Sequence, residues 1–234
     1  MKKLVLGTMA AVLIAFFAVT YPQMVWAEGG SISGEVKVTG SMAPKMIEVD
    51  KDQETCGKEQ PEANIVVSGG KLANVVVSLP DVKGAKKPEA KDVTFDQKGC
   101  VFHPHVLIVP VGATVNILNS DPITHNLHTF TVDNDPINKA QPKTLPKMTA
   151  KMETPETIKV QCDIHKKWMS AWWVVTDNPY NSVSSKEGSF KIADVPPGTY
   201  KITAWHETLG KQTMDVTVKA GEDTKINFEF QPKK

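Results

Sequence analysis

Short runs of alternating apolar and polar residues recur along this chain, each closed by turn-forming residues. That pattern leaves few architectures open. Ile32 to Val38 alternates, and Leu72 to Leu79 is rich in Val. Val106 to Leu118 carries two β-rich runs around Gly112. Thr157 to Val160 and Ala171 to Val175 flank a Cys-containing segment. Ser189 to Ile192, Thr199 to Ala204, Thr213 to Val218 and Thr224 to Phe230 complete the set. Ser68-Gly69-Gly70, Pro196-Pro197-Gly198 and Ala220-Gly221-Glu222-Asp223 supply the turns. Helical periodicity is hard to find, so the expected class is all-β, as sandwiches or barrels. Asp81 to Lys91 and the Pro-punctuated, polar stretch Val132 to Thr154 are expected to be irregular connections.

The first residues read as an export signal. Lys2 and Lys3 precede an uncharged apolar run, and Val25-Trp26-Ala27 offers a cleavage site. The run is short for a membrane span, so no span is expected after cleavage. Removing residues 1–27 takes two Lys from 27 basic residues, leaving 25 against 26 acids and a net charge of −1. The chain has no Arg, the usual residue for bidentate phosphate or guanine contacts. Together these exclude a basic nucleic-acid binder. The three Cys make an odd set, read economically as one bridge plus one thiol with another task in an oxidising compartment.

That task is indicated by Cys162-Asp163-Ile164-His165-Lys166-Lys167-Trp168-Met169, which brings a thiolate, an imidazole and a thioether within eight residues. His125 and His128 follow an earlier strand. Two His, one Cys and a weak axial Met make a trigonal copper site. Zinc rarely takes Met, haem attachment needs a second Cys, and an iron–sulfur cluster needs more Cys than are present. The expected ligands are His125, Cys162, His165 and Met169, for an ion cycling between Cu(I) and Cu(II).

The stretch Phe102 to Val175 resembles the cupredoxins (plastocyanin, amicyanin, pseudoazurin). Phe102 to Val109, Val111-Gly112-Ala113-Thr114-Val115 and Asn119-Ser120-Asp121 look like that family's strand, Gly turn and lead-in, and His125-Asn126 and Cys162…His165…Met169 look like its ligand motifs. The resemblance implies a Greek-key sandwich, the four ligands above, and Asn126 bracing the Cys162 loop. The three residues between His165 and Met169 make a loop of intermediate length. His128 and His105 are alternative or extra ligands, with a packed core position also open for His105. Cys56 and Cys100, each beside Gly, are paired as the expected disulfide, the alternative being a free thiol. The resemblance also makes the His165 edge an electron exit, where Lys166, Lys167 and Trp168 would dock an acidic partner.

The whole mature chain resembles bacterial periplasmic proteins, some labelled methylamine utilisation proteins, that join such a domain to a small carboxypeptidase-regulatory-like or transthyretin-like sandwich. Asp194-Val195-Pro196-Pro197-Gly198-Thr199-Tyr200 and Ala204-Trp205-His206-Glu207 carry that likeness. The expected domains are therefore a signal at 1–27, a copper domain with an N-terminal extension at 28–176, and a second sandwich at 177–234. No catalytic motif is evident, so the expectation is a non-enzyme. The function implied is a periplasmic or secreted one-electron carrier, with a c-type cytochrome or dehydrogenase as partner. Copper storage or delivery, and a structural or carbohydrate-binding sandwich protein, are the alternatives.

Overall fold

The computed structural model describes residues 28–40, 42, 45–62 and 64–232; the predicted export signal lies outside them. The fold is all-β, with one short helix, Gln53–Cys56, among the described residues. Two hydrophobic cores organise it.

The first core lies between a four-stranded and a five-stranded sheet. The four-stranded sheet runs Lys147–Lys151, Thr114–Asn119, Val93–Lys98, Val101–His103. The five-stranded sheet runs Asn138–Gln141, His125–Phe130, Glu156–Gln161, Ser170–Thr176, Val106–Pro110. The period of two decides what faces inward. Val115 and Ile117 alternate with partly exposed neighbours, as do Ala171, Trp173 and Val175 on the opposing sheet. Phe95 meets Trp173 edge-on across the core at 5.2 Å, a geometry worth about 0.5–1.5 kcal/mol beyond its burial. The chain changes sheet between Val106–Pro110 and Thr114–Asn119 through Gly112, whose φ of 84° suits glycine.

The second core is built around the first described strand. Gly30–Val38 pairs antiparallel with Ser189–Val195, and parallel with Asp223–Lys225 and Phe228–Phe230. Gly34 is required there, because a Cβ would lie 1.7 Å from the Ile226 carbonyl oxygen. A facing sheet runs Asn181–Val183, Val76–Ser78, Gly198–His206, Gly210–Val218.

Three expectations need correction. Residues 28–176 do not form one unit followed by another: Gly30–Val38, Val67–Ser68, Lys71–Leu72 and Val76–Ser78 pair with the sheets of the C-terminal sandwich, while Val49 and Cys56 join the first core. The partners of Gly30–Val38 lie at the far end of the sequence, where no local pattern announces them. Leu72 to Leu79 is two short strands in different sheets, because Asn74 sits at φ 61° and turns the chain between them. The stretch Val132 to Thr154 contains two strands, Asn138–Gln141 and Lys147–Lys151, that lie at sheet edges and so tolerate polar residues.

His206, at the end of Gly198–His206, gives this fold an acid sensitivity. It is 1% exposed, and its Nδ1 accepts the backbone N–H groups of Thr208 and Leu209 at 3.2 and 3.3 Å. Burial, opposed by the Glu207 carboxylate and helped by His105, pushes its pKa from 6.5 to about 4. The unfolded chain takes this proton at the ordinary value. Stability from the neutral ring is therefore complete above 6.5 and declines as pH falls towards 4, by about 3 kcal/mol in all. Urea midpoints between pH 7 and pH 4 should show that slope. His206→Asn, whose amide oxygen can accept the same N–H groups, should flatten it; an unchanged slope would refute the assignment.

Candidate metal centre

Alternation places the first candidate ligands. In His125–Phe130, His125, Leu127 and Thr129 face the core. In the neighbouring Glu156–Gln161, Ile158 and Val160 face the same way, and Cys162 follows as the next inward position. The loop after Cys162 is closed by hydrogen bonds. The backbone N–H groups of Trp168 and Met169 donate to the His165 carbonyl at 3.2 and 3.0 Å, and the Cys162 N–H donates to the Met169 carbonyl at 3.0 Å. Cys162, His165 and Met169 therefore share one turn, and all are buried with His125. The intermediate spacing between His165 and Met169 is accommodated by this turn.

The three nitrogen and sulfur donors converge. His125 Nδ1 lies 3.1 Å from His165 Nδ1, and Cys162 Sγ lies 3.6 Å from His165 Nδ1. The ligand atoms of His125, Cys162 and His165 all fall within 4.8 Å of one another. A four-coordinate ion with bonds of about 2.0–2.3 Å holds its ligand atoms about 3.3–3.6 Å apart, so the cluster has the right dimensions.

Both imidazoles are oriented from behind. His125 Nε2 faces Asp121 Oδ2 at 2.9 Å, and His165 Nε2 faces Asp52 Oδ2 at 2.9 Å. A carboxylate accepts, so each Nε2 carries a hydrogen, and each Nδ1 faces the cluster, where it donates to Cys162 when it carries a proton and offers its lone pair to an ion when it does not. Asp121 is buried and also receives the Gly99 and Cys100 N–H groups at 2.7 and 2.9 Å. Burial raises the Cys162 thiol, but hydrogen bonds from His125, His165 and the Asn126 N–H outweigh it and hold the pKa at about 6, against 9.0 ordinarily. Burial lowers His165, but Cys162 and Asp52 outweigh it and raise its pKa. The cluster thus turns one sulfur and two imidazole nitrogens towards one spot.

Asn126 lies where the resemblance implies. Its N–H reaches Cys162 Sγ at 3.3 Å, and its side-chain oxygen accepts the Asp163 N–H at 3.2 Å. His128 and His105 are not brought in. His128 points outward by alternation, pairs with Asp163 at 2.9 Å and stacks on Phe130. His105 pairs with Glu207 of the second sandwich, whose other oxygen accepts the Trp172 N–H at 2.6 Å. The side chains of Cys56 and Cys100 are joined in a disulfide, so Cys100 offers no thiolate to nearby Asp121 and His125. Trp168, expected to dock a partner beside Lys166 and Lys167, is turned inward over the cluster instead. It is 3% exposed, with its N–H on the Cys100 carbonyl at 3.0 Å and its ring against His165. Lys166 and Lys167 are exposed, but Lys167 is tied to Asp50 at 2.5 Å. Asp52 and the role of Asp121 escape the sequence reading. Asp52 lies 113 residues from its partner, and only the Cys56 bridge hints that its segment visits the site.

Residues 172–226 match the model of polysaccharide lyase family 4, domain II. No curated protein matches the chain. Among solved structures, a copper-containing nitrite reductase from Thermus scotoductus SA-01 is similar at 26% identity and TM-score 0.31, over 42% of this chain and 25% of that one. This chain therefore spans a quarter of that protein. A purple cupredoxin from Nitrosopumilus maritimus is similar at 23% identity and TM-score 0.31, over 36% of this chain and all of that one. Oxidised plastocyanin from Dryopteris crassirhizoma is similar at 19% identity and TM-score 0.32, over 36% of this chain and 100% of that one.

Proposed function

We propose that this protein is an exported one-electron carrier, not an enzyme, that holds copper between His125, Cys162 and His165, with Met169 as a weaker fourth donor. The supporting observation is the buried convergence of two imidazole nitrogens and one sulfur, each imidazole fixed by a carboxylate behind it. Buried together, these donors need a positive charge among them, a proton or a metal ion, and their number and type suit a metal. Soft sulfur with imidazole suits copper in both oxidation states, and the bound ion would supply one-electron redox chemistry. The chain's contribution is to keep the donors fixed and dry, so little rearranges when the charge changes.

Storage or delivery calls for ligands that a receiving protein can reach. His125 and Cys162 are 0% exposed and His165 is 1% exposed, which favours the carrier. Among the described residues no helix is long and apolar enough to cross a membrane. The disulfide fits an oxidising compartment, so we place the protein in the periplasm or outside the cell. We read the second sandwich as a companion module of transthyretin-like or carboxypeptidase-regulatory-like form. The redox partner we assign is a c-type cytochrome or a dehydrogenase.

Purified protein loaded with Cu(II) should bind one equivalent and absorb strongly in the visible through thiolate-to-copper charge transfer. It should also oxidise a reduced cytochrome rapidly in stopped flow. A colourless copper complex, or uptake of zinc alone, would overturn the carrier reading.

A further inference from the structure

We propose that Asp52 is a positioning residue of the metal centre, which holds the outward nitrogen of His165, shuts that imidazole edge from solvent, and sets the preference for Cu(II) over Cu(I). The proposal rests on the copper reading above. His165 is 1% exposed although its neighbours Asp163, Lys166 and Lys167 are exposed. Asp52 and Trp168 cover it: one accepts its Nε2–H at 2.9 Å, the other packs against its ring at 5.3 Å.

The segment carrying Asp52 comes from outside the metal-binding sheets and is fastened at three points. Val49 is fully buried in the first core, Asp50 pairs with Lys167, and Cys56 is bridged to Cys100. Asp52 itself sits at φ 54°, ψ 34°, a left-handed conformation that few residues other than glycine adopt. The segment is thus held firmly in a conformation that aims one carboxylate at one imidazole.

The two carboxylates behind the histidines differ. Asp121 shares its charge among the His125 ring and two backbone N–H groups. Among the described residues, the hydrogen bond given to the Asp52 side chain is that of His165. Its charge therefore acts mainly on that ring, making His165 a stronger donor. A stronger donor favours Cu(II), the more highly charged state.

Asp52→Asn keeps the shape and tolerates the left-handed backbone. It should weaken Cu(II) relative to Cu(I) by about tenfold, read in a mediated potentiometric titration as a rise of about 59 mV. Asp52→Glu should restore most of the wild-type potential. Glu54→Gln removes an equal charge from the same segment without touching the ring or its fastenings, and should leave the potential nearly unchanged. If Asp52→Asn binds copper with the wild-type potential, or if Glu54→Gln shifts it equally, the proposal fails while the copper reading stands. A wild-type protein that takes up no copper overturns both.

Discussion

On the proposed copper-carrier reading, Cys162→Ser is expected to abolish the visible copper band completely and to reduce electron exchange with a cytochrome to background. The thiolate is the only charged donor among the three converging atoms, and its low pKa, about 6, keeps it in that form at neutral pH. A serine hydroxyl stays protonated at that pH, is harder than sulfur, and provides no low-energy charge transfer to copper. The Cu(I) state, which depends most on the soft ligand, should lose more affinity than Cu(II), so the remaining copper should be hard to reduce. The change is nearly isosteric, and the Asn126 N–H that meets Sγ can donate to the new oxygen instead. The far-ultraviolet spectrum and thermal transition of the metal-free protein should therefore stay close to wild type. A variant that keeps the band would remove Cys162 from the site.

Removing the disulfide is expected to cost about 4 kcal/mol. Cys56 and Cys100 are 44 residues apart, and the chain-entropy relation gives about that value for a closed loop of this size. Cys56→Ser combined with Cys100→Ser should lower the urea midpoint of the first core, followed by tryptophan fluorescence. Both side chains are buried there, so the serines add a small desolvation penalty. On the copper reading, copper should return part of the loss by mass action, because the donors converge only in the folded chain. A loss under about 1 kcal/mol would mean that Val49 and the Asp50–Lys167 pair hold the segment without the bridge.

The part of the site within one turn could be read from the chain: Cys162, His165 and Met169 declare themselves by type and spacing. His125 is preferred to His128 on the resemblance alone; alternation in the strand supplies the physical reason, turning His125 inward and His128 outward. The class of fold was legible for the same reason, since period-two patterns are local. What stayed hidden was long-range. Gly30–Val38 reads as a strand, but nothing in it names Ser189–Val195 or Phe228–Phe230 as neighbours. Lys147–Lys151 was missed because an edge strand can be polar. The docking role given to Trp168 fails because its indole N–H finds a buried carbonyl partner, which lets a residue with a polar tip go inside.

The interleaving of the two sandwiches restricts how the molecule can move. The chain passes from one core to the other between Val38 and Met46, Pro61 and Val67, Ser78 and Val93, and Thr176 and Asn181. A single tether lets two bodies tumble like beads on a thread. Here a swivel about any one crossing is blocked by the other three, and Glu207 clasps His105 and Trp172 across the seam. The candidate cluster and the second sandwich are therefore linked by four crossings and by this clasp. On the proposed carrier reading, a surface that the second sandwich docks against would fix the direction from which a redox partner meets the cluster.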